Sequence, residues 1–350
     1  MIHQQSSDSH HRIATLRRSS AAATPMMAPA AIASTASSGG PLTLPPPRFT
    51  AALRVHDDRG FMLVSQATGR SWRAIDSLKE CQFGEVLRAV EVTKAGTHSQ
   101  FAIKELSLRK IREMLGRTHE DPLREVSALQ YLSCEWHPNV LECTEALRDD
   151  ASIYIVTPFY GQGELFDLVT DRGPFGEREA RPLFRQVLDG LLHLKRHGVC
   201  HRDLSLENVL MDEGKRIKLI DFGLALRIPQ TADGRARTLM PQGPCGKQLY
   251  ISPEVLTSSS GFDGFAVDVW ACGVMLFIML TGVPPFEVAL PSQDQRCRVI
   301  AIEERLAELL SVWRMPLSLE VIDFIQSCLL FDPQRRPTLE TLRNHPWITA

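Results

Sequence analysis
What this chain lacks narrows it first. Its 350 residues carry eight cysteines with no C-x-x-C pair and no regular spacing, which argues against a disulfide scaffold or a zinc site and for reduced thiols in a cytosolic or nuclear protein. It lacks a charge excess: 39 Lys+Arg against 41 Asp+Glu leave a net charge of −2, so neither nucleic acid nor a membrane surface is an expected partner. It also lacks a long apolar run. The longest, Val269–Leu280, falls short of the about 20 residues a bilayer span needs and reads as a buried helix.

What is present changes along the chain. Residues 1–48 are dominated by Ser, Ala, Thr and Pro, with Asp8 the only acid and Arg12, Arg17 and Arg18 supplying positive charge. Such a segment buries too little surface to offset its ordering entropy, so a disordered extension is expected. A mitochondrial transit peptide and a phosphorylation site at Arg17-Arg18-Ser19-Ser20 are the sharper alternatives. Cytoplasmic residence is the leading expectation, with the nucleus and, through residues 1–48, the mitochondrion as alternatives. From Phe49 to Gly69 apolar residues alternate around Asp57-Asp58-Arg59-Gly60, which suggests either a hairpin added to the domain beyond it or a linker over 49–71. The apolar fraction of 44% suffices for a core beyond that point.

The most informative run is His201-Arg202-Asp203-Leu204-Ser205-Leu206-Glu207-Asn208-Val209-Leu210. It sets a proton-accepting carboxylate, Asp203, five residues ahead of an amide, Asn208. Asp221-Phe222-Gly223 then supplies a second carboxylate of the kind a hard cation prefers. Both motifs, in this order and at this distance, resemble the catalytic loop and metal-binding motif of the eukaryotic protein kinases. The resemblance spans about residues 72–348. It implies an α+β bilobal fold, with a small β-rich lobe over 72–157, a hinge at 158–162 and a larger, mainly helical lobe over 163–348.

Phe101-Ala102-Ile103-Lys104 reads as a strand ending in lysine, and Leu123–Leu129 as a helix carrying Glu125. By resemblance Lys104 grips the α- and β-phosphates of ATP and Glu125 holds it. The glycine-rich loop departs from the family pattern. The run Lys79-Glu80-Cys81-Gln82-Phe83-Gly84-Glu85-Val86 retains only the third glycine, Gly84. Because glycine lets a backbone approach phosphate closely, Lys79 and Cys81 at the other two positions are expected to weaken the hold on ATP without removing it. The resemblance also puts Thr157 at the gatekeeper position and Tyr160 in the hinge, with Val86, Ala102 and Leu210 around adenine. Ordinary core packing is the plainer reading of those last three.

Ser252-Pro253-Glu254, Asp268 and Arg336 match structural positions of the same family. Gly163-Glu164-Leu165-Phe166 and Leu276–Gly282 place the resemblance nearest the calcium/calmodulin-dependent group. The resemblance implies that Asp203 takes the proton of a serine or threonine hydroxyl, while Asn208 and Asp221 hold Mg²⁺ against the phosphates of ATP. Two positions depart together. Ser205 stands where such kinases carry a lysine, and Lys247 stands where they carry a threonine. Either Lys247 supplies the missing cation from the other side, or it is a solvated loop residue in an impaired enzyme. A phosphate pairing with Arg202 is expected on Thr238, with Thr231 and Tyr250 as further candidates. Glu164 and Glu207 match positions that bind an arginine three residues before the acceptor. The expectation is therefore a monomeric, basophilic serine/threonine kinase acting on proteins; the alternative is a pseudokinase serving as a scaffold.

Overall fold
Seven strands take up the apolar segments of the first half of the chain. They are β1 (Thr50–Asp57), β2 (Gly60–Ser65), β3 (Ser71–Cys81), β4 (Gly84–Glu91), β5 (Gln100–Ser107), β6 (Glu145–Arg148) and β7 (Ser152–Pro158). In this computed structural model, residues 43–350 are described apart from 59, 94–98, 229–237, 241, 242, 244 and 258–260. The strands form a closed barrel in the order β1-β2-β3-β4-β5-β7-β6, sealed where Thr50 pairs with Leu147 in parallel register. Closure removes the exposed edges that would otherwise pair with other chains. Leu63, Trp72, Leu87, Ala89, Phe101, Ile103, Tyr154 and Val156 fill the barrel. The period of two then turns Val86, Ala102 and Lys104 to the opposite face, toward the second lobe.

Residues 49–71 are thus a hairpin rather than a linker, built into the same barrel as the strands beyond 72. Gly60, at φ 113°, takes a turn conformation closed to residues with a Cβ. One difference concerns the end of the extension. Residues 43–48 dock on the helix Pro122–Ser133: the Arg48 N–H donates to Gln130 Oε1 at 2.9 Å, and Gln130 Nε2 donates to the Arg48 carbonyl at 2.6 Å. Leu44 packs against the core. Three prolines at 45–47 hold that stretch extended beforehand, so ordering it costs less entropy. The rest of the extension, 1–42, lies outside the described residues.

Helix α1 (Leu108–Met114) precedes α2 (Pro122–Ser133), which starts at an Asp121 cap that accepts from the Leu123 and Arg124 amides, with proline in its first turn. The second lobe follows. Its helices include α3 (Leu165–Arg172), α4 (Glu177–Arg196) and α5 (Gly264–Thr281); α4 packs on α5, in which every residue except Ala266 and Thr281 is buried. The apolar run of the sequence is therefore the spine of a lobe. Gly282 ends α5 in the left-handed region at φ 73°, the usual way a helix is stopped. A three-stranded sheet of β10 (Ile217–Leu219), β9 (Val209–Met211) and β8 (Gly163–Glu164) carries the loops between the lobes. This is the bilobal α+β architecture expected from the sequence.

Candidate active site
Lys104 and Glu125 meet because β5 faces α2. Lys104 Nζ donates to both Glu125 oxygens, at 2.8 and 2.7 Å, and Glu125 is only 5% exposed. Burial disfavours the Lys104 cation, but Asp221 and Glu125 outweigh it and hold the amine protonated well above its ordinary range. Asp221 lies on the second lobe, so this amine joins a β5 strand, an α2 carboxylate and the Asp221-Phe222-Gly223 turn. Burial works against the Asp221 charge as well, yet Lys104 and then Lys247 keep its carboxyl below the usual carboxylate range.

The catalytic run is fixed from beneath by α5. Asp268 accepts the His201 and Arg202 amides, both at 2.8 Å. Arg202 and Asp221 both sit in the left-handed region, at φ 67° and 63°. Non-glycine residues adopt it at a cost and only where surroundings enforce it, which is common at functional sites. Asn208 Nδ2 donates to the Asp203 carbonyl at 2.7 Å and to Asp203 Oδ2 at 2.8 Å. With its nitrogen committed there, Asn208 offers its carbonyl oxygen to a cation. A hard divalent ion such as Mg²⁺ takes one or two protein oxygens and completes its shell with phosphate and water. One amide oxygen and one ionised carboxylate fit that demand. Among the described residues no group of three or more His, Cys, Asp or Glu is arranged to hold a metal unaided.

Lys247 reaches the same carboxylate. Its backbone N–H donates to Asp203 Oδ1 at 3.1 Å and its Nζ to Oδ2 at 3.0 Å. Ser205 is wholly buried, and its hydroxyl finds no hydrogen-bond partner among the described residues.

Strand pairing sets the positions of several of the remaining expected residues. Lys79 pairs with Val86 and Cys81 with Gly84 across β3 and β4; Val86 pairs with Lys104 across β4 and β5, and Ala102 with Thr157 across β5 and β7. A Cβ at Gly84 would stand 1.8 Å from the Glu105 carbonyl, so this glycine is required by strand packing whatever its role toward phosphate. Leu210 lies opposite Glu164, and Tyr160 lies near the ammonium of Lys218. Lys79 does not turn into the cleft: its Nζ lies 2.5 Å from Glu164 Oε1. Glu207 accepts from the Tyr250 hydroxyl at 3.4 Å.

The phosphosite candidates separate. Tyr250 is 5% exposed, so its hydroxyl is closed to a modifying enzyme. Thr238 is exposed, next to the bridge between Leu239 and Phe262. Thr231 lies outside the described residues. Arg202 Nη2 donates to Cys245 Sγ at 2.8 Å.

One group in the cleft was missed. Glu120 lies against Gly223, and burial together with the Asp221 carboxylate pushes it up to about 7. Its local signal was that of a helix start, Thr118-His119-Glu120-Asp121, and nothing in that run points it across the cleft. The structural pair Glu254–Arg336 forms as expected, bidentate at 2.7 and 2.8 Å.

Comparison with known proteins agrees with this geometry. The sequence profile described as the protein kinase domain matches residues 73–348. CBL-interacting protein kinase 21 of Oryza sativa is 37% identical over 274 residues, covering 77% of this chain and 48% of that protein. CBL-interacting protein kinase 1 of the same species is 35% identical, covering 77% of this chain and 54% of its own length. Serine/threonine-protein kinase SAPK4, also from rice, is 34% identical, with 70% and 65% covered. The chain spans about half the length of the CBL-interacting relatives. A matched profile over most of the chain, on a bilobal fold whose cleft holds the paired lysine and the loop aspartates, makes this chain a member of the protein kinase family.

Proposed function
We infer that the chain transfers the γ-phosphate of ATP, with Mg²⁺, to serine or threonine hydroxyls of proteins. The observation that carries this is the closed Lys104–Glu125 pair facing Asp221, since phosphoryl transfer demands positioning and charge neutralisation above all. Lys104 takes the α/β end of the triphosphate, and Glu125 fixes its ammonium. Asp203 orients the acceptor hydroxyl and takes its proton. Asn208 and Asp221 hold the cation, which when bound neutralises charge on the phosphates.

Lys247 replaces the lysine absent at Ser205. Its ammonium already stands on the Asp203 carboxylate, beside the place where the transferred group and the acceptor must meet, and the orphaned Ser205 hydroxyl marks the place left by the exchange. Glu164 and Glu207 would receive a basic residue of the substrate, making the enzyme basophilic.

The alternative, a scaffold without transfer, is favoured by one feature: Asp203 Oδ2 is shared by Lys247 and Asn208, leaving the base occupied. Transfer of radiolabelled γ-phosphate to an arginine-containing peptide separates the two. Asp203→Ala is expected to reduce the rate roughly 10²- to 10⁴-fold; equal signal from wild type and variant would leave the scaffold reading standing.

A further inference from the structure
The ion pair between Lys79 and Glu164 joins the two lobes across the mouth of the cleft. Lys79 belongs to β3 of the barrel, at a position where the family pattern has glycine; Glu164 belongs to β8, the first strand of the helical lobe. The two ends differ in exposure. The Lys79 side chain is 59% exposed, and that of Glu164 is 17% exposed. Glu164 also lies in the field of Asp167 and Glu207, which, after burial itself, disfavour its charge, while Lys79 is the cation that offsets them. A mostly buried carboxylate among acids needs a cation, and here the cation comes from a long, solvated side chain of the opposite lobe.

We propose that Lys79 is an internal stand-in for the substrate's basic residue: it occupies Glu164 until a peptide arginine displaces it, and so blunts the enzyme's selectivity for arginine. The proposal rests on the reading of Glu164 as the receiving carboxylate. An arginine is the stronger partner because its planar guanidinium can engage a carboxylate with two parallel hydrogen bonds, whereas an ammonium acts as a point charge. Lys79 gives way easily, since a well-exposed lysine returns to water at little cost. The competition is intramolecular, so every arginine-bearing peptide meets it, and peptides lacking the arginine escape it.

The test uses the full chain, wild type and Lys79→Gln, with two serine peptides that differ only in Arg or Ala three residues before the serine. The readout is the ratio of kcat/KM for the two peptides. Calorimetric binding of the same pair with alanine in place of the serine provides a measure independent of turnover. Both ratios are expected to rise roughly fivefold in Lys79→Gln, as loss of a partly exposed ion pair allows, and to fall toward one when Glu164→Gln is added. A wild-type ratio well above one that Lys79→Gln leaves unchanged overturns the stand-in while preserving Glu164 as the arginine site. Ratios near one in both proteins overturn the Glu164 assignment, and the stand-in with it.

Discussion

Asp203 accepts on both carboxylate oxygens, from the amide and ammonium of Lys247 and from the Asn208 side chain. On the proposed reading, a lysine in that place would bring a fixed cation to the phosphoryl group and keep the carboxylate aimed by the hydrogen bonds it already makes. Lys247→Ala is expected to lower kcat about 10²-fold, the usual consequence of losing one preorganised charge at a transition state. Ser205→Lys combined with Lys247→Thr should restore most of it. Steady-state kinetics on one peptide decide the matter, and unchanged turnover in Lys247→Ala would end the exchange idea. The sequence already held this pair of departures, because both lie in runs whose neighbours fix their alignment. It did not hold Glu120, whose approach to Gly223 depends on where α2 sits above the second lobe.

At the scale of elements, α2 is held at several points along its length. Asp121 caps it and donates its own N–H to the Gly223 carbonyl at 3.2 Å, Glu125 is tied to Lys104, and Gln130 clasps the backbone of Arg48. The last tie links the segment preceding the barrel to the helix whose Glu125 pairs with Lys104. Gln130→Ala removes two hydrogen bonds at an exposed position, so a loss of roughly 1 kcal/mol in denaturant unfolding is expected. Faster tryptic cleavage at Arg48 should accompany it. If neither changes, the strap is held by Leu44 and Phe49 packing and not by the amide clasp. Composition alone assigned this stretch to a disordered extension, because a window rich in Pro, Ala and Ser averages out one leucine and one backbone clasp. The barrel hairpin was legible for the opposite reason: alternation and turn residues are local signals.

Across the whole molecule, the lobes meet where the loop 134–144 between α2 and β6 lies on the helical lobe. Leu141 N–H donates to the Leu219 carbonyl at 3.0 Å, and Leu219 N–H to the Asn139 carbonyl at 2.9 Å. In this joint His137 stacks on His193 with ring centroids 4.8 Å apart, and His193 lies 4.4 Å from His197. Burial, then His193 and Arg196, push His137 down from 6.5 to about 4. As pH falls, the unfolded chain therefore takes up this proton before the folded one does. The stability owed to the neutral ring is complete above about 6.5 and is lost progressively as pH drops from there to about 4. Melting temperature should accordingly fall between pH 7 and pH 5, and fall less in His137→Asn. Equal losses in both proteins would place the acid sensitivity elsewhere.

The sequence by itself determined the family of fold, the His201–Leu210 run, the strand that carries Lys104 and the helix that carries Glu125, and the altered glycine loop. Each is written in short motifs whose spacing follows from one strand, one turn or one helix. Only the tertiary structure decided that the hairpin closes a barrel, that Lys79 turns to Glu164, and that Lys247 stands on Asp203. Those contacts join residues between 44 and about 100 positions apart. At such separations local propensity is silent, and the packing of two lobes sets which charges meet.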